Sequence, residues 1–269
     1  NAVANLGYAA GRFGAPVYPG DTLRATSKII GLKENSNGKT GVVYVHSVGV
    51  NQRDEPVLDY IRWVMVKKNN LSAPAPEPVV PELPAFVVDE DLVIPEGLEM
   101  ATFDTMLSGS AALWDDYDAG EKIDHVDGMT IEESDHMIAT RLYQNTAKVH
   151  FNQHTEKEGR FGRRIVYGGH VISLARSLSF NGLANVVRIV AINGGSHTAP
   201  SFGGDTIYAW SEILGKSEIS GRDDIGALRV RTVACKDQSC EAFPDKGEDG
   251  KYAPSVVLDF DYTVLMPRK

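Results

Sequence analysis

The sequence predicts an α+β fold in which antiparallel strands wrap around a central helix. Three observations support this prediction: an internal near-repeat, β-rich runs that follow one another without helices between them, and one long apolar helical stretch ahead of the second set of strands. Consecutive strands with segregated helices are typical of α+β proteins, whereas strictly alternating strands and helices indicate a parallel sheet.

The repeat is the first of these observations. Four pairs of segments match in the same order: NAVANLG from Asn1 with NGLANVV from Asn181, APVYPGDTLRATSKIIGL from Ala15 with APSFGGDTIYAWSEILGK from Ala199, GVVYVHSVGV from Gly41 with GALRVRTVAC from Gly226, and VLDYIRWVM from Val57 with VLDFDYTVL from Val257. Single matches of this kind occur by chance, but a series in constant order indicates a duplicated unit.

The repeat divides the chain into a partial first copy at 1–68, a linker and irregular segment at 69–120, and a second copy at 121–269. The start of the linker is rich in Pro and Ala and lacks any periodicity, which predicts an extended conformation. The opening part of the second copy has no counterpart before residue 1. We therefore expect the first copy to be incomplete at its N-terminus and the chain to be a fragment or a processed product.

Within the second copy the elements can be predicted in order. A capping box at Thr130 and Glu133 predicts the start of a first helix, and near-helical spacing of apolar residues predicts a longer helix over 169–184. Three β-rich runs follow at 205–218, 226–237 and 255–266, the last partly alternating as a half-buried antiparallel strand does. Before the copy, a short helix is expected around 111–117.

Composition excludes several functional classes. The chain has 27 Lys and Arg against 36 Asp and Glu, a formal charge of −9, which argues against a nucleic-acid surface and an anionic membrane partner. No apolar run is long enough to span a bilayer. The two cysteines, Cys235 and Cys240, do not make a disulfide framework and favour a reducing cytoplasm. A single disulfide between the two is the alternative.

The stretch NTAKVHFNQH, which holds Asn145 and His150, and the segment GRFGRRIVYGG that follows it resemble the MaoC-like dehydratases, or (R)-specific enoyl-CoA hydratases. The family pattern is an Asp, four residues and a His, then a Gly-rich segment that opens the central helix. Both PGDTL and GGDTI turns match as well. The resemblance covers residues 124–266 and, partially, residues 1–68. The amino-acid sequence of residues 160–185 is similar to that of the mesaconyl-CoA hydratases (β-methylmalyl-CoA dehydratases).

This resemblance implies a double hot-dog fold, two sheets each wrapped on a helix, and a hydro-lyase acting on a CoA thioester. The implied reaction is the reversible dehydration of β-methylmalyl-CoA to mesaconyl-CoA. Neither a metal nor a redox cofactor is implied, and the expected partners are the thioester and a second copy in a homodimer, with no nucleic acid and no membrane.

The chemistry assigns roles to four residues. A His near neutral pKa, His150, can take a proton from water and return one to carbon. The N–H groups of Gly168 and Gly169, at the positive end of a helix, can receive a thioester oxygen. Because the family's Asp falls on Asn145, and an amide cannot take a proton, Asn145 is expected to orient the water.

Substrate binding is assigned to Arg163, Arg164 and Tyr167, which precede the central helix. Either guanidinium could hold a substrate carboxylate or a CoA phosphate bidentately, or the turn could be merely solvated. His150 and His154 are spaced for a metal on one helical face, but the sequence supplies no third ligand, so no metal is predicted.

Two other functions stay open at this point. A hot-dog thioesterase would need a carboxylate beside the thioester carbonyl, for which Glu156 or Glu158 could serve. A non-catalytic acyl-CoA-binding half is favoured by the amide at Asn145. Release of free thiol separates the first alternative from a hydratase, and binding without turnover identifies the second.

Overall fold

The computed structural model describes residues 2–269, with only the backbone of Ala2 described. The strands in this range are β1 (Ala2–Phe13), β2 (Arg24–Glu34), β3 (Thr40–Val50), β4 (Pro56–Lys67), β5 (Lys122–Asp124), β6 (Met129–Thr130), β7 (Arg188–His197), β8 (Thr206–Glu218), β9 (Ile225–Lys236) and β10 (Val256–Pro267). The helices are α1 (Thr105–Ser108), α2 (Glu133–Leu142), α3 (Lys148–Phe151), α4 (Gln153–Glu156), α5 (Gly168–Leu178) and α6 (Phe180–Leu183). The chain is therefore α+β, as predicted.

All strands belong to one antiparallel sheet with the order β2-β3-β4-β1-β7-β10-β9-β8-β5, and β6 pairs with β8. The order of β2, β3, β4 and β1 is mirrored by β8, β9, β10 and β7. The two halves meet where β1 pairs with β7, with Tyr8 opposite Gly195 and Arg12 opposite Ala191. The duplicated unit thus folds into two similar half-sheets joined edge to edge.

The strand register corrects one part of the repeat. Tyr8 pairs with Arg62 in β4 as Ile192 pairs with Tyr262 in β10. Residues of β1 therefore correspond to residues of β7 that lie 184 positions later, the same offset that relates Ala15 to Ala199. The match of NAVANLG with the segment from Asn181 was wrong by four residues, and that segment belongs to α6 and the turn after it. Residue 1 itself lies outside the described residues.

Helix α5 covers one face of the second half-sheet, which we call the α5 face. Its apolar positions Val171, Leu174, Ala175 and Leu178 fall on one side of a helix and are all buried. They pack on the inward side chains of β8, β9 and β10, with Phe260 and Tyr262 among them. Full burial of a Val or Leu side chain contributes roughly 1.5–3 kcal/mol.

The predicted helices begin and end at other residues than expected. The first starts at Glu133 with Glu132 at its N-terminal cap, and Thr130 instead pairs in β6 and bonds the Thr206 hydroxyl at 2.8 Å, so the capping box was wrong. The long helix breaks after Leu178, because Asn181 and Gly182 leave helical geometry, with Gly182 at φ +107°.

The segment between the two halves contacts both faces of the sheet, with Val87 and Leu92 on the face opposite to α5 and Trp114 in the core under α5. Val79 exchanges two backbone hydrogen bonds of 2.8 Å with Leu32 at the edge of β2. Further along, Val87 and Leu92 pack on buried residues of β7 and β10. The short helix expected at 111–117 is a 3-10 turn at Trp114–Asp116, with Trp114 buried. The predicted linker is thus anchored on the sheet by its apolar residues.

Candidate active site at the start of α5

His150 lies in the short helix α3, and its ring orientation is fixed by the backbone that leads into α5. Its Nδ1 lies 3.1 Å from the carbonyl oxygen of Ile165. Because a carbonyl only accepts, Nδ1 carries the proton in this contact, and the neutral ring presents an unprotonated Nε2. This tautomer can accept a proton from water.

The surroundings of His150 favour its neutral form. Burial lowers the pKa of His150 below its usual value, the Ile165 carbonyl opposes this by accepting from the ring, and the charge of His136 lowers it further. The imidazole is therefore uncharged at neutral pH. A neutral histidine with a free nitrogen is the form that a general base requires.

Tyr167, Gly168 and Gly169 form the N-terminal boundary of α5. The Tyr167 ring meets the His150 ring edge-on, with 5.9 Å between the centroids. The N–H groups of Gly168 and Gly169 have no acceptor within the helix and lie at the positive end of its dipole. The structure therefore brings the predicted base and the predicted oxyanion donors to the same place.

Both glycines are required by their neighbours. A methyl group on Gly168 would lie 2.6 Å from Nε2 of His197, and one on Gly169 would collide with the Tyr167 ring and hydroxyl. His197 ends β7, and its Nε2 is buried with no hydrogen-bond partner in the described chain. Burial, followed by the charge of His150, lowers the pKa of His197 to about 4. A second neutral imidazole thus lies against the first turn of α5.

The first half also reaches this site, which the sequence did not predict. Burial raises the pKa of Tyr8 to about 12, and the nearby Tyr167 hydroxyl adds to that rise. The positive charge of Arg62 lowers the pKa of both Tyr8 and Tyr167, and so opposes the rise that burial causes in each. The repeat held a signal for Arg62, because it stands in a partly alternating strand where the second copy has Tyr262.

Asn145 lies before α3 and its side chain has a structural partner. Its Oδ1 accepts a hydrogen bond of 2.9 Å from the Ala147 N–H, which leaves its amide NH₂ as a donor. Asn145 lines a cleft of about 400 Å³ together with Thr140 and Phe151. His150 and the α5 glycines do not line that cleft, and no hydrogen bond in the described chain joins Asn145 to His150.

Arg163 and Arg164 both have acidic neighbours within the chain. Arg164 donates to Glu133 at 2.6 Å, and that carboxylate also lies 3.0 Å from Nε2 of the buried His136. Arg163 lies 3.9 Å from Asp205 and stacks over the Phe202 ring at 4.1 Å. Arg163 is half exposed, whereas Arg164 is largely covered.

Among residues 2–269, no group of three or more His, Cys, Asp or Glu side chains is placed to hold a metal ion. No helix within the same residues is long and apolar enough to cross a membrane.

The amino-acid sequence of the chain is similar to those of two enzymes of known activity. The chain is 71% identical to the β-methylmalyl-CoA dehydratase of Chloroflexus aurantiacus over 269 residues, which is all of this chain and 76% of that protein. It is 60% identical to the mesaconyl-CoA hydratase of Cereibacter sphaeroides over 268 residues, 77% of that protein. Both relatives are named as enzymes that remove or add water at a CoA thioester, which makes this chain a carbon–oxygen lyase.

Solved structures agree with the fold. A MaoC-domain dehydratase from Chloroflexus aurantiacus superposes with a TM-score of 0.97 at 71% identity, over the whole chain and 77% of that structure. A Mycobacterium tuberculosis protein described as a double hot-dog superposes with a TM-score of 0.74 at 25% identity, over 98% of this chain and 76% of its own. The predicted double hot-dog fold is confirmed.

The family model for mesaconyl-CoA hydratase matches residues 5–245, which include most of β1, the interface between the two halves and the start of α5. The match therefore spans both the predicted base and the side chains that the first half contributes. The chain belongs to the mesaconyl-CoA hydratase family.

Proposed function

We propose that this protein reversibly dehydrates β-methylmalyl-CoA to mesaconyl-CoA and water. The observation that carries the proposal is the neutral His150, with Nε2 unprotonated, beside the first turn of α5. The names of the two relatives support this substrate, since one names β-methylmalyl-CoA and the other names mesaconyl-CoA, the two ends of the proposed reaction.

In the hydration direction, the thioester oxygen accepts hydrogen bonds from Gly168 and Gly169, whose glycine backbone permits close approach. Nε2 of His150 takes a proton from water as the hydroxyl oxygen bonds to the β-carbon. The double-bond electrons move to the α-carbon and are stabilised as an enolate at the thioester oxygen. The imidazolium then returns its proton to the α-carbon, so that one water is added and His150 is regenerated.

Four further residues complete the proposal. The Asn145 amide, held through its Oδ1, orients the attacking water by donating from its NH₂. Tyr167 packs against His150 and lines the acyl pocket. Arg163, half exposed, and Arg164 bind an anionic part of the substrate, either its carboxylate or the CoA phosphates.

The test is an assay of the purified chain with mesaconyl-CoA, separating the CoA esters chromatographically and measuring free thiol in the same samples. We expect β-methylmalyl-CoA to appear at the rate at which mesaconyl-CoA disappears, without thiol release. Thiol release at that rate would identify a thioesterase instead. Binding by calorimetry without any conversion would identify an acyl-CoA-binding half.

We also propose that the chain works as a homodimer in the cytoplasm. Exposed apolar side chains on β2, such as Ile29, support association, and the unbridged, buried Cys235 and Cys240 fit a reducing compartment. Light scattering after size exclusion gives the mass in solution, and a monomer at micromolar concentration would refute the dimer.

A further inference from the structure

Arg62 is a cation of the first half that lies on the side of the sheet where the reaction is proposed to take place. In β4 it stands opposite Tyr8 of β1, and directly opposed residues of antiparallel strands project from the same face. A methyl group on Gly195, where β1 meets β7, would lie 3.1 Å from the Tyr8 ring and 3.1 Å from the Phe260 ring, so the two rings lie on the same face of the sheet. Since Phe260 belongs to the core under α5, Tyr8 and Arg62 lie on the α5 face.

The guanidinium of Arg62 lacks a partner, unlike comparable arginines of the sheet. Its Nε is buried and forms no hydrogen bond within the described chain. None of the ion pairs between described residues includes Arg62. By contrast, Arg12 pairs with Asp59 and Arg229 pairs with Asp261. Leaving a charged donor buried without a partner is unfavourable, so an external anion is the expected complement.

The surroundings of Arg62 point towards the catalytic residues. The positive charge of Arg62 lowers the pKa of the Tyr8 and Tyr167 hydroxyls. The Tyr167 ring in turn packs against the His150 ring. Among Arg62, Tyr8 and Tyr167, only the guanidinium is charged at neutral pH.

We propose that Arg62 binds the free carboxylate of the substrate and thereby selects a dicarboxylic acyl group. This inference rests on the proposed function, because mesaconyl-CoA carries a carboxylate at the end of the acyl chain opposite to the thioester. A guanidinium presents Nε and one terminal nitrogen as a fork that fits a carboxylate bidentately. The thioester end binds to α5 of the second half and the carboxylate end binds to β4 of the first.

The experiment compares two ligands that differ only at this carboxylate. In 2-methylbut-2-enoyl-CoA of E geometry, a methyl group replaces the carboxylate of mesaconyl-CoA. For Arg62→Gln we expect kcat/KM for mesaconyl-CoA to fall roughly 10- to 100-fold, the loss of one charge-assisted pair. The inhibition constant of the methyl analogue against the same reaction should change by less than about threefold, because that ligand has nothing to place on the guanidinium.

The matched control is Arg12→Gln, which removes an arginine that β1 presents to Asp59 on the opposite face. It should leave both quantities within about threefold of the wild type, and circular dichroism should show that both variants are folded. Equal losses for both ligands in Arg62→Gln would place the CoA phosphates, not the carboxylate, on Arg62 and overturn the inference. Unchanged kcat/KM for mesaconyl-CoA would overturn it as well.

These outcomes are distinct from a failure of the proposed function. If the wild-type chain converts the methyl analogue but not mesaconyl-CoA, the proposed substrate is wrong, and the carboxylate role of Arg62 is wrong with it. If the wild type converts mesaconyl-CoA and Arg62→Gln does so equally well, only the inference about Arg62 is wrong.

Discussion

The two halves of the sheet share a backbone plan but differ in what covers the α5 face. Ile213 in β8 is fully buried under α5, whereas Ile29, its equivalent in β2, is 62% exposed. At another equivalent pair, Tyr262 is 1% exposed in the second half, and Arg62 is only half-buried in the first. The same strand pattern therefore supports a buried apolar core in one half and a more accessible surface in the other.

This difference shows how a duplicated unit can divide its tasks. The second half provides the helix start, the proposed base and the packing that keeps His150 neutral. The first half needs no core at Tyr8 and Arg62, so these positions can carry groups that face a ligand. A hydrophobic residue at position 62 would add little stability where no helix covers it, among the residues described.

The largest expected effect removes the base from the second half. His150→Ala should lower kcat by about 10²- to 10⁴-fold with the fold intact, because general-base catalysis contributes that much. His154→Ala, which removes an exposed histidine four residues further on, is the control and should leave kcat within about twofold. Near-normal turnover in His150→Ala would show that the chemistry does not depend on this half.

The second prediction compares stability at equivalent positions. Ile213→Ala should lower the free energy of unfolding by about 2–5 kcal/mol, because it leaves a cavity under α5. Ile29→Ala, the same change on the exposed equivalent, should cost less than about 1 kcal/mol. Urea denaturation followed by circular dichroism measures both. Equal losses would mean that the first half buries this face in solution.

Much of the fold could be predicted because its signals are local. Helix α5 follows from four apolar residues at helical spacing, and β8 to β10 follow from β-rich runs between turns. The first pair of matched segments, NAVANLG from Asn1 and NGLANVV from Asn181, was misaligned by four residues, since short Asn- and Ala-containing segments match in more than one register. Only strand pairing, which fixes every side chain to one face, resolved it.

The site could be predicted only in part, and for a physical reason. His150, Gly168 and Gly169 follow one another closely in sequence, and local chemistry is enough to propose them. Arg62 and His197 reach the same place only because β1 pairs with β7 and closes the sheet between the halves. Nε of Arg62 and Nε2 of His197 are both buried without a hydrogen-bond partner in the described chain, and neither property can be predicted before the strands are paired.

The third prediction concerns the arginines that precede α5. If Arg164 contacts the substrate, Arg164→Gln should raise KM several-fold and change kcat less, and the same holds for Arg163→Gln. Glu133→Gln is the control, because it removes the negative charge that accepts from Arg164 at 2.6 Å and keeps the guanidinium. If Arg164→Gln and Glu133→Gln lower the melting temperature equally and leave KM unchanged, Arg164 serves only its pair within the chain.

The smallest expected effect tests which half performs the chemistry. In Asn145→Asp a carboxylate replaces the amide and can keep the 2.9 Å contact with the Ala147 N–H, so the fold should survive. If the second half is the working site, kcat should be preserved or raised. The negative charge also favours the imidazolium and so raises the pKa of His150, which burial otherwise lowers. Since His150 must be neutral to act, activity is lost as pH falls through that pKa, and the acidic limb of the pH–rate profile should move to higher pH.

The control for this charge is Asn152→Asp, which alters the residue whose Oδ1 accepts from the Thr155 N–H at 3.1 Å in the next helical turn. An equal shift of the acidic limb in both variants would reflect charge alone, because only position 145 is proposed to hold the water. If kcat and the pH profile of Asn145→Asp stay within about twofold of the wild type, the amide has no part in the reaction. The two halves would then divide their tasks differently, with the acid/base chemistry lying outside the second half.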